Sequence, residues 1–348
     1  PVQRRVCSNN DCGKRRVPSI YSIFGTRIHP ELAKLQTEMS AKQTYRQAKD
    51  TLNKVSSGVR KINNNERLQK VVSAVGTAVT DEKNEEIDYG DAEKLTVQVD
   101  GGHIKDKDPK KRSFEVMTSV VYRPENVIKN DKSFRGEITH KHCAASALED
   151  TQKTIKSHTL LACKKEGLSL KTEITAICDG AKNCWSIIDS LEGKCASIYR
   201  ILDWFHISMK FENLSVSPEL KTKIKRIKWH LWRGKPDRAL TRIAQLIEAT
   251  DSDKEKDKLH RLHTYISNNN AYIINYRDRM KNNLTFTSNI AESTVESLIN
   301  QRCKGHQHMR WTREGVHPLL QIRAAISSKE WASNWKNYII PALPNLAY

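Results

Sequence analysis

Apolar and polar positions alternate along Lys94-Leu-Thr-Val-Gln-Val-Asp100, with Leu95, Val97 and Val99 on one side and Thr96 and Gln98 on the other. This period of two predicts a β-strand. The strand is expected to end on the Asp100 carboxylate, and Gly101-Gly102 would then leave room for a bulky ligand to approach the backbone. An ordinary Asp-Gly-Gly turn would explain the same residues. Upstream, Leu32, Leu35, Met39, Tyr45, Ala48, Leu52 and Val55 recur mostly at three- and four-residue steps, a helical period. Ser40 is a candidate cap for a helix continuing through Tyr45 and Ala48. Ser56-Ser57-Gly58 breaks the run, and another helix is expected at about 64–79. No apolar period survives over residues 80–91, which read as an acidic linker.

Downstream, strands are expected at residues 112–122 and near 133–140, and a helix at about 144–165. Residues 172–178 form an apolar strand ending on Asp179-Gly180, followed by a helix at 183–191. A further strand at 196–202 ends on Asp203, within Asp203-Trp-Phe-His206. Residues 207–286 read as almost wholly helical. Ser288 can cap a helix carrying Glu292 and Glu296, which lie one turn apart and so near one face. A closing helix is expected at about 316–335.

Three strands, a helix, a strand, a helix, a strand and a helix is the order of an RNase H-like α/β domain. The expected fold is a mixed sheet with flanking helices, interrupted by an all-helical insertion and preceded by a helical region. The boundaries are a basic segment at 1–29, a helical region and linker at 30–90, a core at 91–206, the insertion at 207–287 and the rest of the core at 288–348. In this fold the first and fourth strands are neighbours, so acids following both would meet. Short Lys/Arg-rich helices in the 30–90 region fit a helix-turn-helix-like DNA reader. A helical cap packed on the core fits them equally well.

The composition sharpens the picture. The chain has 348 residues, 38% hydrophobic and 28% charged, which fits a folded protein rather than a disordered one. No apolar run is long enough to span a membrane. The chain begins at Pro1 rather than Met, which suggests a preceding segment. A formal net charge of +19 points to a polyanionic partner, with nucleic acid the leading candidate. Eight cysteines are scattered without a dense framework, so reduced thiols and a cytoplasmic, nucleoid-associated setting are expected. Cys7 and Cys12 are spaced as half of a Zn²⁺ site, but a structural zinc needs four ligands and no second close pair follows. Plain thiols are the alternative.

The basic residues are grouped. Lys221, Lys223, Lys225, Arg226 and Lys228 form a cationic face beside Trp229 and Trp232. Such a face can hold phosphates and stack on exposed bases, although tryptophans at i, i+3 spacing equally suit a core. A second basic and aromatic stretch contains Lys304, His306, Arg310 and Trp311. Asp100, Asp179 and a helical glutamate are hard oxygen ligands suited to Mg²⁺ or Mn²⁺. Two such ions can activate an attacking oxygen and stabilise a leaving one in phosphodiester displacement. No Ser/His/Asp or Cys/His pattern competes, and no phosphate loop for ATP is present.

These residues resemble the DDE transposases of bacterial insertion sequences, and within them the Mutator-like branch with its ISKra and ISLre groups. The resemblance covers roughly residues 30–335. It rests on Val99-Asp100-Gly101, Cys178-Asp179-Gly180-Ala181 with Trp185, and Leu202-Asp203-Trp204-Phe205-His206. It also rests on Ala291-Glu292-Ser293 with Arg302 ten residues on, and on Met309-Arg-Trp311 and Arg323. It implies that Asp100, Asp179 and Glu292 form the metal-binding triad, with Glu296 as the alternative to Glu292. It implies a catalytic-site role for His206 through Asp203-x-x-His206, and DNA contacts near Arg302. The implied activity is cutting element ends and joining them to target DNA with two Mg²⁺ ions. The implied partners are double-stranded DNA, at terminal inverted repeats and targets, and further copies of the chain in a dimer or larger oligomer. An inactive DNA-binding derivative, or an RNase H-like nuclease such as a junction resolvase, would share many of these features.

Overall fold

The computed structural model describes residues 23–26, 28–55, 63–80, 90–129, 136–289, 294, 296–305 and 309–345. It is an α/β structure built on a mixed five-stranded sheet. The strands are β1 (Lys94–Lys105), β2 (Ser113–Tyr122), β5 (His142–Ser146), β6 (Glu173–Cys178) and β7 (Ser197–Leu202), in the order β5-β2-β1-β6-β7. β1, β2 and β5 are antiparallel neighbours, whereas β6 pairs parallel to β1, and β7 parallel to β6. Two short strands, β3 (Val127–Lys129) and β4 (Gly136–Ile138), form a separate antiparallel pair. No helix among the described residues is long and apolar enough to cross a membrane.

The alternation in β1 sorts its side chains between two layers. Leu95, Val97 and Val99 are buried with Ile174, Ala176, Ile155 and Ile187, under the helices Lys153–Lys165 and Lys182–Asp189. Beyond Asp100, Ile104 joins Phe114, Val116 and Ala145 against the helices Pro30–Lys42, Asn65–Thr80 and Arg313–Ser327. A third core joins Ile177, Ile201 and Leu202 to the helices Trp204–Glu212, Pro218–Trp232, Pro236–Glu248 and Asp253–Asn268.

Several expected elements are redrawn. β1 does not end at Asp100. It continues to Lys105 because β2 pairs with it all the way to Lys105↔Ser113, while parallel β6 stops opposite Val99. The third strand of the main sheet is β5 rather than residues 133–140, and the following helix starts at Lys153 rather than near 144. Ala144 and Ala145 have no strand preference of their own, but each is small enough to be buried under helices on opposite faces. Ser40 lies inside the first helix, and the break falls at Gln43-Thr44. There Thr44 Oγ1 accepts from Gln47 N while Gln47 Oε1 accepts from Thr44 N, both at 3.2 Å, a reciprocal capping box. The closing helix stops at Ser327, and Lys329 takes a positive φ of 61° before the chain turns helical again at Trp331.

Two arginines, Arg302 buried and Arg323 partly buried, hold the helical region to the core. Arg302 Nε donates to the Ser40 carbonyl at 2.8 Å, and Arg323 donates to the carbonyls of Ala41, Ser297 and Leu298. Ser40 and Ala41 lie in the last turn of Pro30–Lys42, where carbonyls lack helical partners. Where Asn65–Thr80 crosses Arg313–Ser327, a Cβ on Gly76 would stand 2.3 Å from the Pro318 carbonyl oxygen. Backbone cannot yield there as a flexible side chain would. Gly76→Ala is therefore expected to destabilise the fold by about 1–3 kcal/mol, the usual cost of overpacking, as a lower denaturant midpoint with unchanged slope. An unchanged midpoint would show that the helices can separate at no cost.

Candidate active site

The register of the parallel strands builds the site. Val99 is opposite Cys178, so the next residues, Asp100 within β1 and Asp179 just past the end of β6, follow on neighbouring strands. Cys178 is in turn opposite Leu202, which brings Asp203 into the same row. The row opens into a cleft of about 150 Å³, lined by Asp100, Asp179, Asp203, His206, Ser288, Glu296 and Asn300 among others. Residues far apart in sequence meet here because parallel neighbours expose their carboxyl ends together.

Each acid is held differently. Asp100 Oδ1 accepts from the Gly101 amide at 2.8 Å. Burial pushes its carboxyl above the ordinary value, and Asp179 and Asp203 push the same way, against the opposing pull of His206. Asp179 Oδ1 accepts from Ala181 N at 2.8 Å, and its carbonyl accepts from the Tyr265 hydroxyl at 2.9 Å. The turn needs Gly180, whose φ is +90° and whose added Cβ would stand 2.6 Å from Asn269 Oδ1.

Asp203 is wholly buried and wholly engaged. Its Oδ1 accepts from Phe205 N and Ser288 N, both at 3.0 Å, and its Oδ2 from the Ser288 hydroxyl at 2.5 Å and from His206 Nδ1 at 2.8 Å. One carboxylate thus caps the helix Trp204–Glu212, orients His206 and anchors the segment leading to the glutamates. The Ser288 hydroxyl accordingly serves Asp203.

Glu296 reaches this cleft from a wide π-helical turn, Glu296–Asn300, and its carboxylate accepts from Asn300 Nδ2. Glu292 lies outside the described residues, as do Cys7, Cys12 and His306. Gly102 does not open space for a ligand: a Cβ there would meet Ile299 Cδ1 at 3.0 Å, and one on Gly101 would meet Glu115 Oε1 at 2.7 Å. The two glycines instead let the Glu296–Asn300 turn and β2 close on β1.

The expected DNA-contacting residues divide. Lys223, Lys225, Arg226 and half-exposed Trp229 face solvent, as do Lys304 and Arg310. Lys228 pairs with Glu212 at 3.1 Å and Lys221 donates to the Glu212 carbonyl at 3.2 Å, which turns both toward the preceding helix. Trp232 stacks among Trp204, Tyr276 and Phe286 as core. Arg302 and Trp311 are not exposed contacts: they are 1% and 8% exposed. Arg302 is enclosed because its guanidinium caps Pro30–Lys42 and lies over the rings of Tyr45 and Trp311 at 4.9 and 5.0 Å.

A second cluster went unnoticed in the sequence. His140, His142 and Glu166 each bring one ligand atom within 4.8 Å of the others and could hold a metal ion. His142 Nδ1 lies 2.7 Å from Glu166 Oε1 and its Nε2 3.4 Å from Glu330 Oε1. Burial alone would lower the His142 pKa, but these two carboxylates raise it. His140-x-His142 is the only local sign of it, and Glu166 and Glu330 are distant in sequence. No model of a known protein family matches the chain, and no curated protein is significantly similar to it.

The Asp203–His206 pair carries a prediction. Burial lowers the His206 pKa, but the Asp203 hydrogen bond and the surrounding carboxylates raise it above the ordinary 6.5. The pair thus contributes stability that is full below about pH 6.5 and lost as pH rises through the raised value. In Asp203→Asn the His206 pKa should fall, as followed by NMR titration, and stability below pH 6.5 should drop by about 1–3 kcal/mol. An unmoved pKa would show that Asp203 does not set the charge of His206.

Proposed function

We propose that the chain is an RNase H-like polynucleotidyl transferase, a DNA transposase of the DDE type. The observation that carries this reading is that Asp100 and Asp179, each one residue past the paired Val99 and Cys178, line one cleft together with Glu296. Carboxylates gathered in a partly buried cleft repel one another and favour a bound cation. Asp203 is satisfied by its hydrogen bonds, whereas Asp100 and Asp179 each receive one amide and keep oxygens for a hard cation. The sheet order, an antiparallel trio extended by two parallel strands, is that expected of an RNase H-like core.

In this reading Asp100 and Asp179, with Glu292 or Glu296, hold Mg²⁺ or Mn²⁺. When bound, the ions supply activation of the attacking oxygen and neutralisation of the leaving one. The protein's own work is positioning. Asp203 fixes His206 through Nδ1, so Nε2 is the ring nitrogen left to meet a phosphate oxygen. The Asp203–Ser288 bonds fix where the glutamate segment leaves the core. The exposed cations on Pro218–Trp232 draw a phosphate-rich substrate toward an acidic centre. Binding without cleavage would be the behaviour of an inactive derivative.

Removing even an outer partner of a metal ligand commonly costs 10–100-fold, so loss of a direct ligand should cost about 100-fold or more. Asp100→Asn and Asp179→Asn should each abolish Mg²⁺-dependent strand cleavage of a duplex while leaving duplex binding intact, and chelation should do the same to the wild type. Of Glu292→Gln and Glu296→Gln, the one that abolishes cleavage identifies the third ligand. Cleavage that survives loss of either aspartate would sink the proposal.

A further inference from the structure

A cleft separate from the acidic one lies where the helices Tyr45–Val55, Asn65–Thr80 and Arg313–Ser327 begin. Its volume is about 830 Å³, more than one phosphate group fills, and Thr44, Asn65 and Thr312 are on its wall. All three helices therefore begin on its wall, where helix amino ends carry a positive partial charge, although one amide at each start is capped: Gln47 N by Thr44, Arg67 N by Asn64 and Gly315 N by Thr312. Arg46, Lys70, Lys107, Arg302 and Arg310 also line it, and no Asp or Glu does. Five cations without an acid mark the cleft as a place for a polyanion.

The nearby acids do not line it. Glu66 pairs with Lys70, itself on the cleft wall, at 3.0 Å at an exposed site, a contact of little net strength. Asp106 and Asp108 accept from the amides of Asp108 and Lys110 at 2.8 and 2.9 Å, within their own loop.

Arg302 provides an independent sign. Its side chain is 1% exposed, yet no carboxylate pairs with it among the described residues. Nε serves the Ser40 carbonyl and Nη1 the Met309 sulfur, but Nη2 has no hydrogen-bond partner among the described residues. A buried cation with an unused donor is costly, and the rings of Tyr45 and Trp311 offset only part of that cost. An anion entering the cleft would complete its surroundings.

We infer that this cleft seats the sugar-phosphate backbone of a DNA duplex, with Arg302 at its floor and Arg46, Lys70, Lys107 and Arg310 at its walls. This rests on the proposed transposase reading and adds to it a second hold on the same substrate. One stretch of chain serves both places: Glu296 and Asn300 line the acidic cleft, and Arg302 and Met309 to Thr312 the basic one. A backbone gripped here is tied to the segment that carries the glutamates. Helix amino ends and arginines read charge rather than base identity, so the grip should be independent of sequence.

The test uses the full chain and a fluorescent duplex of about 30 base pairs of arbitrary sequence, with anisotropy measured across a salt series. Arg46→Gln/Lys70→Gln/Arg310→Gln changes only exposed residues. It should weaken binding by about tenfold or more and reduce the slope of log affinity against log salt by about 2–3. Lys164→Gln/Lys171→Gln/Lys254→Gln removes as many exposed charges elsewhere and should retain most of the affinity and slope. Arg302→Lys keeps a cation but loses the unpartnered Nη2. It should weaken binding several-fold and, because the guanidinium also caps Pro30–Lys42, lower the melting temperature, so binding is read where circular dichroism shows the variant fully folded. Cleft and control variants that weaken equally, or a cleft variant that binds like the wild type, would overturn the inference while leaving the acidic cleft untouched. A wild-type chain that binds no duplex at any salt would sink the transposase reading and this inference with it.

Discussion

Parallel pairing of β6 with β1 is the constraint on which the site depends. A strand carries its side chains to alternate faces, so a shift of one residue would send Asp100 and Asp179 to different places. The Val99↔Cys178 register is fixed by burial of Val97 and Val99 with Ala176 and Cys178 on one face. The hydrophobic core therefore sets the separation of the acids. Burial, and to a lesser extent Asp179 and Asp203, raise the Asp100 carboxyl pKa, so packing holds the carboxylate where its charged form is disfavoured.

Asp203 shows how the same row supports an opposite kind of carboxylate. It is completely buried, and four donors surround it. Burying a carboxylate is tolerable only when its oxygens are satisfied. Its partners come from the strand-to-helix turn, from His206 and from Ser288, so satisfying one charge fixes three pieces of chain. Asp100 and Asp179 have fewer partners and line open space. Neighbours alone separate a structural acid from two available ones.

The positive charge of the chain is likewise divided. Arg302 and Arg323 spend theirs on helix-end carbonyls deep in the structure, and Lys228 on Glu212. Exposed cations line Pro218–Trp232 and the cleft where three helices begin, and others are spread over the rest of the surface. Net charge gives only a total; placement tells which basic residues stand at the surface.

The sequence by itself determined the strands that alternate or run apolar, the mainly helical stretches and the meeting of Asp100 with Asp179, because periodicity and strand order are local properties. The Thr44-x-x-Gln47 capping box was also legible there, though Ser40 was the expected cap. Only the tertiary structure decided where β1 ends, because its length depends on β2 rather than on Asp100-Gly101-Gly102. It also made β5 a strand, since two alanines take the conformation that the layers on either side impose. Gly102 proved to admit Ile299 instead of a ligand, and Arg302 and Trp311 proved to be buried. The physical reason is common to all of these: a residue's type limits what it can do, but its solvent exposure and partners are set by chain segments distant in sequence.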